Sequence, residues 1–113
     1  MSGISTHILD ISKGRPAAGV QVTLERRENE GWREVSSQAT DQDGRVKQLL
    51  PPHEALLNGQ YRLTFHTRAY FDAHQVQGLY PIVQVTITVT DMDGHYHIPL
   101  LLTANGYSTY RGS

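Results

Sequence analysis

The 113-residue chain contains no cysteine, which excludes disulfide frameworks, cysteine-based zinc sites and thiol nucleophiles. It also lacks an excess of either charge: ten Lys and Arg stand against eleven Asp and Glu, a net charge of −1. Without a domain-wide basic field, nucleic acid is not an expected partner. No apolar run approaches the ~20 residues needed to span a bilayer, so no membrane partner is expected either. The opening Met1-Ser2-Gly3-Ile4-Ser5-Thr6-His7 has no charged n-region followed by an apolar stretch, and the expected location is cytoplasmic. Hydrophobic residues make up 38% and charged residues 19%, the balance of a folded chain rather than a disordered one. The length suits one domain over residues 1–113 with one modest core. What the chain does have is six histidines, and the chemistry is to be sought there.

The dominant period is two. Val83 to Thr90 alternates strictly, with β-branched residues at nearly every position, and predicts a half-buried strand. Val20 to Glu25, Tyr61 to His66 and Tyr96 to Leu102 alternate in the same way. Ile4 to Ile11, Trp32 to Thr40, Arg45 to Leu49 and the run from Gly106 are weaker strands. Lys13-Gly14-Arg15-Pro16 and Asn29-Glu30-Gly31 read as breaks, and Asp43-Gly44 and Asp93-Gly94 as hairpin turns whose Gly supplies a positive φ. Only Thr67 to Gln77 reads as helical, with Thr67 as its cap and Gly78 as its stop. Eight short strands and one brief helix predict an all-β sandwich.

Two Asp-rich turns, Asp41-Gln42-Asp43-Gly44 and Asp91-Met92-Asp93-Gly94, resemble calcium loops superficially. An EF-hand needs Glu at its twelfth position, where these have Pro52 and Leu102. Alternation makes His95-Tyr96-His97 more informative. With Tyr96, Ile98, Leu100 and Leu102 facing the core, His95, His97, Pro99 and Leu101 face outward. Ile4, Thr6 and Ile8 likewise share one face of the first strand, and Ser5, His7 and Leu9 the other. Imidazoles beside outward apolar groups suggest an interface or a ligand channel, whereas an isolated surface histidine is most often only solvated. A His-x-His pair could also bind zinc, but no Asp or Glu occupies a companion position, so no metal is expected. His53, His66 and His74 suit loop, strand-end and helix positions without catalysis.

Taken in order, the motifs resemble the 5-hydroxyisourate hydrolases, transthyretin-related enzymes of urate breakdown. They are Ser5-Thr6-His7-Ile8-Leu9-Asp10, Gly14-Arg15-Pro16-Ala17, Thr40-Asp41-Gln42-Asp43-Gly44-Arg45, Tyr80-Pro81, His95 to Leu102, and Tyr107 to Ser113 with its Tyr-Arg-Gly-Ser tetrapeptide. Transthyretin, the thyroid-hormone carrier of the same fold, lacks the matching histidines and the tetrapeptide. The resemblance implies a transthyretin-like β-sandwich of two four-stranded sheets with one short helix. It also implies a homotetramer, a dimer of dimers whose edge strands pair and whose central channel holds the active sites. The implied reaction is hydrolysis of 5-hydroxyisourate to 2-oxo-4-hydroxy-4-carboxy-5-ureidoimidazoline, without redox chemistry or a cofactor. The implied catalytic residues are His7, Arg45, His97 and Ser113, with His7, Arg45, Tyr110, Arg111 and Gly112 binding substrate. A neutral His97 would activate water, His7 orient it, Arg45 hold developing negative charge, and Ser113 offer its hydroxyl or carboxylate. Leu9 and Leu101 would form apolar walls. A carrier of flat ligands and a metal-binding chaperone are the competing classes, since one fold hosts many functions.

Overall fold

A computed structural model describes residues 2–113; Met1, the first residue of the expected domain, lies outside them. The described residues form nine strands and one helix. In chain order these are β1 (Gly3–Asp10), β2 (Arg15–Pro16), β3 (Gln21–Glu28), β4 (Gly31–Ala39), β5 (Arg45–Val46), β6 (Gly59–Phe65), α1 (Thr67–Ala73), β7 (Val83–Val89), β8 (His95–Thr103) and β9 (Gly106–Thr109). One sheet runs β4-β3-β6-β7. The other runs β2-β1-β8-β9, with the dipeptide β5 also paired to β1. Since β2 pairs with Leu9 and Asp10 while β5 pairs with Thr6 and His7, the two dipeptides share one strand position. The expected four-by-four sandwich is therefore present, with one edge position divided.

Between the sheets lies a core that includes Ile4, Ile8, Val22, Leu24, Tyr61, Leu63, Phe65, Leu100 and Leu102, all at most 1% exposed. Burying each such side chain contributes roughly 1.5–3 kcal/mol before the entropy of ordering it. The alternation that predicts these strands also selects these residues, because every second side chain turns inward.

Several turn assignments need correction. Arg15–Pro16 is a short strand rather than only a break. Asn29 and Glu30 do form a two-residue hairpin loop, with Asn29 at φ 54°. Asp43-Gly44 and Asp93-Gly94 are turns but not hairpins, for each connects strands of different sheets. Of the two, Gly44 takes a positive φ and Gly94 does not. In each turn the first aspartate fastens the backbone. Asp41 Oδ1 accepts the N–H groups of Asp43 and Arg45, and Asp91 Oδ1 accepts that of Asp93.

The helix is shorter than expected. Gln75 sits at φ 58° just past its end, so the chain turns away before Gly78. Thr67 does not cap; its hydroxyl donates to Tyr80 O at 2.7 Å and fastens the helix start to the Tyr80-Pro81 segment. Tyr70 closes the other connection by donating to Asp10 Oδ2 at 2.7 Å. Asp10 is 1% exposed, and its other oxygen accepts from the Ser12 hydroxyl at 2.6 Å. Desolvation raises the Asp10 pKa, but the bonds from Ser12, Tyr70 and Lys13 N outweigh it and hold the carboxyl below its ordinary value. Among the described residues no helix is long and apolar enough to cross a membrane.

Candidate active site

The site is built on the outer face of the β1–β8 pair. These strands run parallel, with Ser5 opposite His97, His7 opposite Pro99 and Leu9 opposite Leu101. Paired residues point to the same side, so the outward set of β1 lies alongside the outward set of β8. The dipeptide β5 adds Arg45 directly opposite His7. Its position follows from the preceding turn: Ile8 N–H donates to Gly44 O at 2.7 Å, and Asp41 Oδ1 receives Arg45 N–H at 3.0 Å. At Gly44, a φ of 74° and the close approach of the Ile8 carbonyl both exclude a side chain.

A pocket of about 200 Å³ opens here, lined by Ser5, Thr6, Arg45, Val46, Lys47, His95, His97 and Ser113. Arg45, Lys47 and His95 are exposed, whereas His97 is half-buried. Ser5, only 6% exposed, places its hydroxyl 2.8 Å from His95 Nε2 and 2.8 Å from His97 Nδ1. Burial is the main cause that lowers the His97 pKa from its ordinary value, and Arg45, His7 and His95 lower it further. These causes all favour the neutral form of the His97 ring, whose Nε2 lies outside the contact with Ser5.

The C-terminal segment returns to this face. Gly112 N–H donates to His97 O at 2.8 Å, a single antiparallel bridge that brings Ser113 to the pocket. A β-carbon on Gly112 would stand 2.5 Å from His97 Cδ2, so this approach needs glycine. The same crossing covers Pro99, which is buried rather than exposed as its outward position implied. Arg111 lies 4.2 Å over the Tyr96 ring and donates from Nη2 to His95 O at 3.3 Å. With Tyr110 it borders a separate pocket that includes Val85, Ile87 and Ile98. Within this chain, then, Arg45, His97, Gly112 and Ser113 come together, with His7 beside Arg45. Tyr110 and Arg111 face elsewhere. Leu9 and Leu101 are half-buried two register positions beyond His7 and do not wall the pocket.

Ser5 and His95 were not among the expected site residues. Alternation places Ser5 on the His7 face, but only the parallel pairing of two distant strands reveals that it lies between two imidazoles. The remaining histidines have other contacts: His66 Nε2 meets Thr23 Oγ1 at 3.0 Å, and His74 packs on Tyr70 with ring centroids 4.4 Å apart. Among the described residues no group of three or more His, Asp or Glu could hold a metal ion.

Residues 4–112 match the model of the HIUase/Transthyretin family. The chain belongs to that family. A 5-hydroxyisourate hydrolase of Salmonella dublin is 44% identical over 110 residues, covering 97% of this chain and 80% of its own. Among solved structures, the 5-hydroxyisourate hydrolase of Klebsiella pneumoniae is 38% identical with a TM-score of 0.86, covering 99% of this chain and all of its own. Transthyretin from Sparus aurata superposes with a TM-score of 0.91 over 99% of this chain and 97% of its own, at 26% identity. The backbone is thus shared across the family, while sequence sets this chain with its hydrolases. The chain is a hydrolase of the HIUase/Transthyretin family.

Proposed function

We propose that the chain, as one domain over residues 1–113, hydrolyses 5-hydroxyisourate to 2-oxo-4-hydroxy-4-carboxy-5-ureidoimidazoline. The observation that carries this reading is a half-buried His97, kept neutral by its surroundings, in a pocket shared with the Arg45 guanidinium. Neutral imidazole is the form that can take a proton from water. Arg45 supplies a fixed fork of donors for the oxygen that gains negative charge as water adds to the ring carbonyl. His7, opposite Arg45 in register, orients water or substrate. Ser113 closes the pocket, and Gly112 permits that closure. Tyr110 and Arg111 fit this scheme as substrate-binding residues if their segment faces a neighbouring subunit's site.

The reading includes a homotetramer with the β1–β8 face turned to a central channel, and a cytoplasmic location. Supporting the assembly, β7 is an uncovered seven-residue edge with neither Lys nor Pro to block pairing with another copy. The test is direct. The protein is added to urate with urate oxidase, and the decay of 5-hydroxyisourate absorbance is followed above its spontaneous rate. His97→Ala is expected to lower turnover about 10²–10⁴-fold while the fold and tetramer persist. Wild-type protein that leaves the spontaneous decay unchanged would overturn the reading.

A further inference from the structure

The Ser5 hydroxyl joins two imidazoles, one half-buried at the pocket and one exposed. A hydroxyl has one proton to donate, so it can serve only one of the two rings as donor. If Ser5 donates to His97 Nδ1, a neutral His97 carries its own proton on Nε2, and neither nitrogen is free to act as a base. In the opposite arrangement His97 donates from Nδ1 to Ser5, Ser5 donates to His95 Nε2, and His97 Nε2 keeps its lone pair. Were both rings to donate to Ser5, its own proton would have no acceptor among the described residues, so the second arrangement is the one that satisfies the hydroxyl and leaves His97 able to activate water; a role for Ser5 and His95 thus rests on the hydrolase reading.

We propose that Ser5 and His95 are positioning residues for His97, fixing its Nδ1-protonated tautomer and moving the positive charge of catalysis from His97 to His95. The proton balance closes. Water gives a proton to His97 Nε2; His97 passes its Nδ1 proton to Ser5 Oγ; Ser5 passes its own proton to His95 Nε2. His95 then carries protons on both nitrogens and is the cation. When the departing ring nitrogen takes the proton from His97 Nε2, each hop reverses and the starting tautomers return.

The surroundings favour this transfer. Partial burial of the His97 ring and the nearby Arg45 and His7 disfavour a positive charge there. His95 is exposed, and water solvates a cation there. Against it stands the Arg111 guanidinium, held at the His95 carbonyl oxygen; both residues are exposed, so solvent and salt screen that repulsion. A neutral acceptor of low basicity in place of His95 could preserve the hydrogen bond from Ser5 but not take up the charge.

The test combines two readouts on the full-length protein. Imidazole ¹⁵N chemical shifts of histidine-labelled protein at neutral pH are expected to show His97 protonated at Nδ1, and Ser5→Ala to lose that preference. Kinetically, Ser5→Ala and His95→Ala are each expected to lower kcat about ten- to a hundredfold, at the lower end of general acid–base effects, with KM within about twofold. Added free imidazole is expected to restore His95→Ala and not Ser5→Ala, whereas Ser5→Thr, which keeps a hydroxyl, retains most of the rate. His97 protonated at Nε2 in the wild type, or wild-type kcat in both alanine variants, would overturn the proposal. Failure of the hydrolase reading looks different: the wild type would not accelerate 5-hydroxyisourate decay, whatever tautomer the spectra show.

Discussion

A single methyl group added at Gly112 probes the junction between the C-terminal segment and the reacting histidine. An alanine β-carbon there would meet His97 Cδ2 at 2.5 Å and Pro99 Cγ at 3.3 Å. The ring cannot swing away freely, because its Nδ1 is held at 2.8 Å by Ser5. Overpacking of this kind costs about 1–3 kcal/mol if the structure must absorb it. The segment has a cheaper escape, which is to lift and forfeit the 2.8 Å bond from Gly112 N to His97 O, at about 0.5–1.5 kcal/mol. Stability should therefore fall by no more than ~1.5 kcal/mol, which at roughly 4–8 °C per kcal/mol for a domain near this size is a Tm loss below about 12 °C. Activity should respond more strongly, since lifting withdraws Ser113 from the pocket and releases the His97 backbone. Misplacement on the ångström scale can cost about 10²-fold in rate. Thermal melts by circular dichroism and 5-hydroxyisourate decay on Gly112→Ala measure both quantities. Wild-type turnover with an unchanged Tm would show that the segment does not pack on His97 and refute the reasoning.

Three further outcomes are expected from the same geometry. His7→Ala and His97→Ala are expected to be strongly non-additive in kcat/KM, because both act at one site, and an additive double variant would separate them. Because its surroundings lower the His97 pKa, protonation of this ring should cut activity only below the ordinary imidazole value of about 6.5. A rate that kept rising below pH 5 would contradict a neutral-imidazole base. Asp10→Ala should destabilise the fold by about 1–3 kcal/mol, measured by urea unfolding, because the buried Tyr70 hydroxyl loses its acceptor. With its folded pKa depressed, the Asp10 carboxyl contributes stability above its unfolded value of about 3.9, and this is lost as pH falls toward the folded one.

Alternation made most of the sandwich legible. Val83–Val89 and His95–Thr103 lie within a residue or two of their expected bounds, since period two survives whatever the strand's partner is. The helix was overextended because Ala69, Ala73 and Val76 fit a helical pattern while the stop came from backbone geometry at Gln75. The outward placement of His7 and His97 follows from the same period, but their neighbourhood does not. Ser5 and His97 are 92 residues apart, and only a parallel β1–β8 pair brings them into contact. Pro99 shows the same limit from the other side: its outward direction was readable, and the covering strand end at Gly112 was not.

The division of labour within one motif explains how this backbone can host different functions. In β1, Ile4, Thr6, Ile8 and Asp10 turn inward, where Thr6 Oγ1 donates to Ile98 O at 2.6 Å and Asp10 holds the helix. Ser5 and His7 turn outward and build the site. Because the period is two, either set can change in evolution without moving the other. A chain 26% identical to this one superposes with a TM-score of 0.91, so the frame tolerates change at most positions. In the proposed function, activity rests on a handful of outward side chains and on the glycine that lets the C-terminal segment reach them. Fold likeness alone does not assign hydrolysis; sequence likeness to the hydrolases does, and the imidazoles, the Ser5 hydroxyl and the Arg45 guanidinium are the groups proposed to perform it.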